Sequence, residues 1–138
     1  MKTIGRFEKV ALPELDIFDI DAKIDTGADA SAIHCEHIRI DEKNQRVSFY
    51  LLDPSHPSYH HKSFNFPIHK IKTIKSSNGT KEERVSIRTR VRLGDKTYLT
   101  SISLANRESM KYPMLIGKRY LSKRFLVDVS QKYIGNIL

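Results

Sequence analysis

The chain carries one cysteine, Cys35, so no internal disulfide can form. A lone thiol suits a reducing compartment. It has no apolar run long enough to span a bilayer, and its opening stretch, MKTIGRFEKVALPEL, lacks the apolar core of a signal peptide. The expectation is a soluble cytoplasmic protein with no membrane partner. No repeat and no long linker interrupts the 138 residues, and 39% of them are apolar, enough for one domain over 1–138 with a modest core. There is no His-Glu-x-x-His and no Gly-x-x-x-x-Gly-Lys-[Ser/Thr] loop, so neither a zinc-peptidase helix nor an ATP cradle is written here. Negative charge is also in deficit. Lys and Arg number 24 against 16 Asp and Glu, a net +8, which points to an acidic partner: nucleic acid, an anionic membrane surface or an acidic peptide.

What is present has a period of two, and helical spacing is scarce. Phe18, Ile20, Ala22 and Ile24 alternate with Asp19, Asp21, Lys23 and Asp25. Val47, Phe49 and Leu51 share a face. Val85, Ile87, Thr89, Val91 and Leu93 oppose Arg88, Arg90 and Arg92. TYLTSISL is strand-prone and follows Gly94-Asp95, a hairpin signal; Asn78-Gly79 is a second, suited to a type I′ turn. RFLVDV predicts a late strand through Phe125, Val127 and Val129. A short helix is expected in GKRYLSK, and DPSHPSYHHKS reads as a loop. The sum is an all-β, mostly antiparallel domain, a partly closed barrel with one short helix in its C-terminal half.

One strand runs into KIDTGADASAIHC. A carboxylate there, Asp25, is followed by Thr26, Gly27 and Ala28. Gly27 permits close backbone approach, Thr26 offers a hydroxyl to a neighbouring copy, and Ala28 is small enough for a substrate to lie across it. Such a turn could merely start with Asp. It could also bring two Asp residues together to share one proton, one acting as base toward water and the other as acid toward a peptide carbonyl. The chain has only one Asp-Thr-Gly, so that chemistry requires a twofold homodimer.

IDAKIDTGADASAIH resembles the active-site strand of retropepsins, the aspartic peptidases of retroviruses. YPMLIGKRYL resembles their second signature, an apolar run (Met114, Leu115, Ile116) ending in Gly117 and a basic residue, Lys118. The hairpin bearing Asn78 and Gly79 falls where a retropepsin carries its flap. A longer match, through IGRFEKVALPEL, AKIDTGADASAIH, IRTRVRLGDKTY and MLIGKRYLSKRFLVDVSQKYI, covers roughly 4–40 and 84–135. It is similar to a bacterial retropepsin-like family found beside RimK-type glutamate ligases and often labelled as ATP-dependent zinc proteases. The resemblance implies a flap-bearing acid-protease barrel. It further implies catalysis by Asp25, braced by Thr26 and Gly27, with Ala28, Asp29, Asn78, Gly79, Gly117 and Lys118 around the substrate. Family members typically carry a basic residue where this chain has Asp29. Retropepsins often carry an acidic one there, paired with the basic residue after the second glycine, so Asp29 and Lys118 are expected either to pair or to make only a surface contact.

The zinc label finds no ligand set in this reading. His34 and His37 would share a face only in a helix, and His56, His60 and His61 lie in the loop. No metal and no cofactor is expected. His34 either holds the turn or reaches substrate, and Cys35 reads as a small buried side chain. Arg84, Arg88, Arg90 and Arg92, separated by even numbers of residues and so on one strand face, are either a solvated sheet face or a track for an acidic polymer, with Arg88 and Arg90 as substrate contacts. The ligase association implies Glu-rich or poly-glutamate tails as substrate. The alternative is a non-enzymatic basic β domain that binds RNA, the ribosome or an acidic protein. The arginine strand, however, lacks aromatics on which bases could stack. A retropepsin-like dimer that binds partners without catalysis is a third possibility.

Overall fold

The computed structural model describes residues 1–75, 77–106 and 111–136. Among them the period-two segments become strands. These are β1 (Lys2–Ile4), β2 (Phe7–Leu12), β3 (Ile17–Ile24), β4 (Ser31–Asp41), β5 (Arg46–Leu51), β6 (Ser63–Pro67), β7 (Lys70–Lys75), β8 (Lys81–Leu93), β9 (Lys96–Ala105), β10 (Met114–Ile116) and β11 (Phe125–Val127). A 3-10 turn, Pro13–Leu15, joins β2 to β3, and the helix α1 is Lys118–Leu121.

Six strands close a ring in the order β10-β3-β2-β8-β9-β4, because β10 pairs parallel with β3 and antiparallel with β4. Closure removes the free edges that an open sheet would expose. β5 and β6 extend the sheet from β4, and β7 forms a hairpin with β8. β1 and β11 pair in parallel as a separate ribbon. The ring interior is filled by alternate residues of each strand, among them Ile20, Ala22, Ile33, Ile87, Val91, Ile102, Met114 and Ile116, all at most 1% exposed. α1 adds Tyr120, fully buried, whose hydroxyl donates to the Val91 carbonyl at 2.9 Å. No helix among the described residues is long and apolar enough to cross a membrane.

Three local expectations are corrected. Phe18 does not join Ile20, Ala22 and Ile24 inside; it is 67% exposed. A register shift sets Val10 opposite Ile20 but Leu12 opposite Ile17, and this bulge turns Phe18 outward. Val129 is outside the last strand and exposed, because the Asp128 carboxylate accepts from the Ser130 N–H at 2.9 Å and turns the chain. Asn78-Gly79 is not a two-residue turn. Lys75 pairs with Lys81, which leaves five residues between them, and of the two only Gly79 has positive φ, 85°. Gly94-Asp95, by contrast, does form the tight turn, with Leu93 opposite Lys96 and Gly94 at φ 66°.

Candidate active site

Asp25 sits where β3 leaves the barrel. β3 and β10 run in parallel with Ile24 beside Ile116, and the Asp25 N–H donates to the Ile116 carbonyl at 2.8 Å. The two predicted signatures, some ninety residues apart, are therefore hydrogen-bonded neighbours. Their turns interlock further. The Lys118 N–H donates to the Ala28 carbonyl at 2.7 Å and the Arg119 N–H to the Asp29 carbonyl at 3.1 Å. The Gly117 N–H donates to the buried Ser31 hydroxyl at 3.1 Å. A Cβ at Gly117 would lie 2.6 Å from the Ala30 carbonyl oxygen and 2.9 Å from that of Ala28, so only glycine fits this crossing.

Within the turn the Gly27 N–H donates to Asp25 Oδ1 at 3.0 Å, which fixes the carboxylate's orientation. Asp25 is half-buried, while Thr26 and Gly27 are exposed. Asp29 and Lys118 form the expected pair, Nζ to Oδ1 3.2 Å, between exposed side chains. Such a pair contributes at most about 1 kcal/mol.

A groove of about 370 Å³ starts at Asp25. Its floor is the outer face of β8, β9 and β4, where small residues meet: Ser86 opposite Ser103, and Ala32 beside Ser103. Its walls are mainly basic; among the described residues, Asp29 is the one acidic residue there besides Asp25. His69, Lys70 and Lys72 contribute from β7 and the segment before it, Arg84 from β8, and Arg119 from α1. Of the arginine row only Arg84 reaches the groove. Arg88 is opposite Ser101 and continues the same face one step beyond it. Arg90 is drawn away, because Glu14 Oε1 accepts from its backbone N–H at 2.8 Å and from its guanidinium at 3.4 Å. Asn78 and Gly79 also lie outside the groove lining, at the exposed hairpin tip, with nothing within 4 Å of a Cβ on Gly79.

Sequence reasoning missed Lys70, Lys72, His69 and Arg119. The signal available was KIKTIK beside the proposed flap, a strand-prone segment with Lys70 and Lys72 on one face.

The donors around Asp25 do not fit a catalytic zinc. Among the described residues, the one group of His, Cys, Asp or Glu with converging ligand atoms is His34, Glu36 and Asp53, which excludes Asp25. His34 is buried on β4, and neither it nor Glu36 lines the groove. Cys35 is fully buried, which pushes its thiol well above the ordinary range.

A family model described as RimB-like, retropepsin-like aspartic endopeptidase RimB, matches residues 3–136. Proteins named "Probable alpha-L-glutamate ligase" are similar to the chain: one from Shewanella pealeana is 35% identical over 136 residues, and one from Desulfotalea psychrophila 32% over 133. The matches take in 94% and 92% of this chain but only 29% and 28% of those relatives, so the chain spans under a third of their length. A crystal structure of a Legionella pneumophila protein of unknown function has the same fold, with TM-score 0.73, 24% identity and 96% of each chain covered.

Proposed function

This chain belongs to the RimB-like family of retropepsin-like aspartic endopeptidases, and from that premise we propose that it hydrolyses peptide bonds as a homodimer. Asp25 of each protomer supplies half of the catalytic pair. The observation that carries this reading is the placement of Asp25. It is an oriented, half-buried carboxylate at the mouth of a groove, its turn locked to Gly117, with Thr26 and Gly27 exposed for a second copy.

In the dimer one Asp25 is ionised and its mate protonated. The ionised carboxylate takes a proton from a water as the water oxygen bonds to the peptide carbonyl carbon. The protonated mate gives its proton to the carbonyl oxygen, which leaves a neutral gem-diol. The first Asp then protonates the amide nitrogen, the C–N bond breaks, and the mate recovers a proton from the gem-diol. The products are a carboxylic acid and an amine. No covalent intermediate forms.

The basic walls support an acidic, Glu-rich peptide as substrate. The ligase name carried by the curated relatives agrees with glutamate polymers as the relevant chemistry. The small Ser and Ala floor leaves room for an extended chain and offers no aromatic platform for bases, which favours peptide over RNA.

The test is cleavage of Glu-rich peptides by the wild type and by Asp25→Asn. Loss of at least about a thousandfold in rate is expected, in line with removal of an acid–base group. Turnover by Asp25→Asn at the wild-type rate would overturn the mechanism.

A further inference from the structure

Beyond Ala32, the next residues on the same face of β4 are His34 and Glu36, which carry a second convergence of functional groups. His34 Nε2 lies 3.3 Å from Asp53 Oδ2 and 4.0 Å from Glu36 Oε1. All three donor atoms fall within 4.8 Å of one another.

The backbone sets this convergence. Residues i and i+2 of a strand point the same way, which aligns His34 with Glu36. Asp53 arrives from the other side. β5 pairs with β4 through Leu51 and Cys35, and Leu52, at φ 66°, donates its N–H to the His34 carbonyl at 2.9 Å. Asp53 Oδ1 is engaged by the Ser55 N–H at 2.8 Å and by the Ser55 hydroxyl, and Oδ2 is directed at His34. The His34 N–H is held by the Pro113 carbonyl at 2.9 Å. The His34 side chain is 5% exposed, and those of Glu36 and Asp53 are 21% and 27% exposed.

Ligands about 2.0–2.2 Å from a common zinc ion stand roughly 3.3–3.5 Å from each other in a tetrahedron. The His34–Asp53 separation already has that spacing before any ion is placed, and Glu36 needs to close in by about half an ångström or more. The donors are one imidazole nitrogen and two carboxylate oxygens, two from neighbouring positions of β4 and the third from the segment after β5. An imidazole in the set favours zinc or a neighbouring transition metal over magnesium or calcium.

We propose that His34, Glu36 and Asp53 bind one divalent zinc-class ion, with water completing its coordination on the open side. The ion is structural: it clamps the segment from Leu52 to Lys62 onto β4. It takes no part in peptide hydrolysis, since Asp25 is not among its donors. The site therefore stands or falls independently of the aspartic mechanism.

The test uses the purified chain with any affinity tag removed, stripped by a chelator and titrated with Zn²⁺ against a chromophoric competitor. One ion per chain is expected, together with a higher melting temperature. Glu36→Gln and Asp53→Asn, near-isosteric and partly exposed, should each weaken binding by about tenfold or more, since even outer partners of a zinc ligand cost that much. X-ray absorption of the zinc-loaded wild type should show a single imidazole among the ligands, a readout that does not depend on any variant folding. Absence of saturable binding, binding unchanged in both carboxylate variants, or two or more imidazoles on the ion would each overturn the proposal. The last two outcomes would place zinc on the loop histidines His56, His60 and His61 instead.

Discussion

Glu8 shows what a single residue can do and how little the sequence advertises it. It sits in β2 on the inward face with Val10, and is 1% exposed. Its carboxylate accepts three backbone N–H groups, from Gly5 at 2.7 Å, Ile134 at 3.1 Å and Gly135 at 2.8 Å. It therefore ties the C-terminal segment to the barrel. Glu8→Ala leaves those donors without an acceptor and should cost about 2–4 kcal/mol; Glu8→Gln keeps one oxygen and should cost roughly half that. Urea unfolding of the two variants measures the difference, and equal stability of all three proteins would contradict this role. In an alternating strand a Glu reads as solvent-facing, because two of its three partners, Ile134 and Gly135, lie more than a hundred residues away. Asp25 and Gly117 were legible because a local motif marks both. Asp21 carries a pH dependence. Burial opposes its ionisation, but hydrogen bonds from Lys9 and Tyr133, with the Lys9 charge, outweigh that and hold its carboxyl below the usual range. Because the folded value is the lower one, the stabilisation is present above the ordinary value of 3.8 and is lost as pH falls through the folded value. The Asp21 side chain is more than a third exposed, so solvent screening holds the effect to about 0.5 kcal/mol or less. Asp21→Asn should lower the urea midpoint slightly at neutral pH, and the gap should close in acid; a gap that widens in acid would have the wrong sign.

At the scale of elements, the β7–β8 hairpin has the clearest functional consequence. It was expected to act through its tip, at Asn78 and Gly79. The residues that wall the groove are instead nearer its base: Lys70, Lys72 and Arg84. Turn chemistry located the hairpin but could not say which of its residues share the groove with Asp25, since that depends on how β8 crosses the barrel. The same limit applies to Arg90, whose neighbour Glu14 is brought in by the 3-10 turn. Exposed cations attract an acidic peptide through solvent and are screened within about 10 Å at 0.1 M salt. Replacing Lys70 and Lys72 together by Glu should raise KM for a Glu-rich peptide by about tenfold at low salt. It should change kcat little and flatten the salt dependence of kcat/KM. A fall in kcat at constant KM would assign these lysines to the chemistry rather than to substrate attraction.

For the whole molecule, the closed ring explains why the fold was readable from pattern alone. Period-two strands with one apolar face need a closed or covered arrangement, and β10 supplies the closure by pairing on both sides. Which strand does so was not legible, because Met114–Ile116 is three residues long and apolar throughout. Each chain carries a single Asp-Thr-Gly turn, so under the proposed mechanism two-carboxylate chemistry is a property of the pair of chains. A shared dyad makes Asp25→Asn a poison as well as a null. When wild type is mixed with an equal amount of Asp25→Asn and subunits exchange freely, about one quarter of the dimers carry two intact aspartates. Activity per mixture should then fall to about half that of the same wild-type protein alone, and a ninefold excess of the variant should bring it to about one tenth. The measurement is initial rate against variant fraction at a total concentration well above that needed for dimerisation. A rate that ignores added Asp25→Asn would mean that each chain works alone with some other acid, and the dimeric mechanism would have to be abandoned.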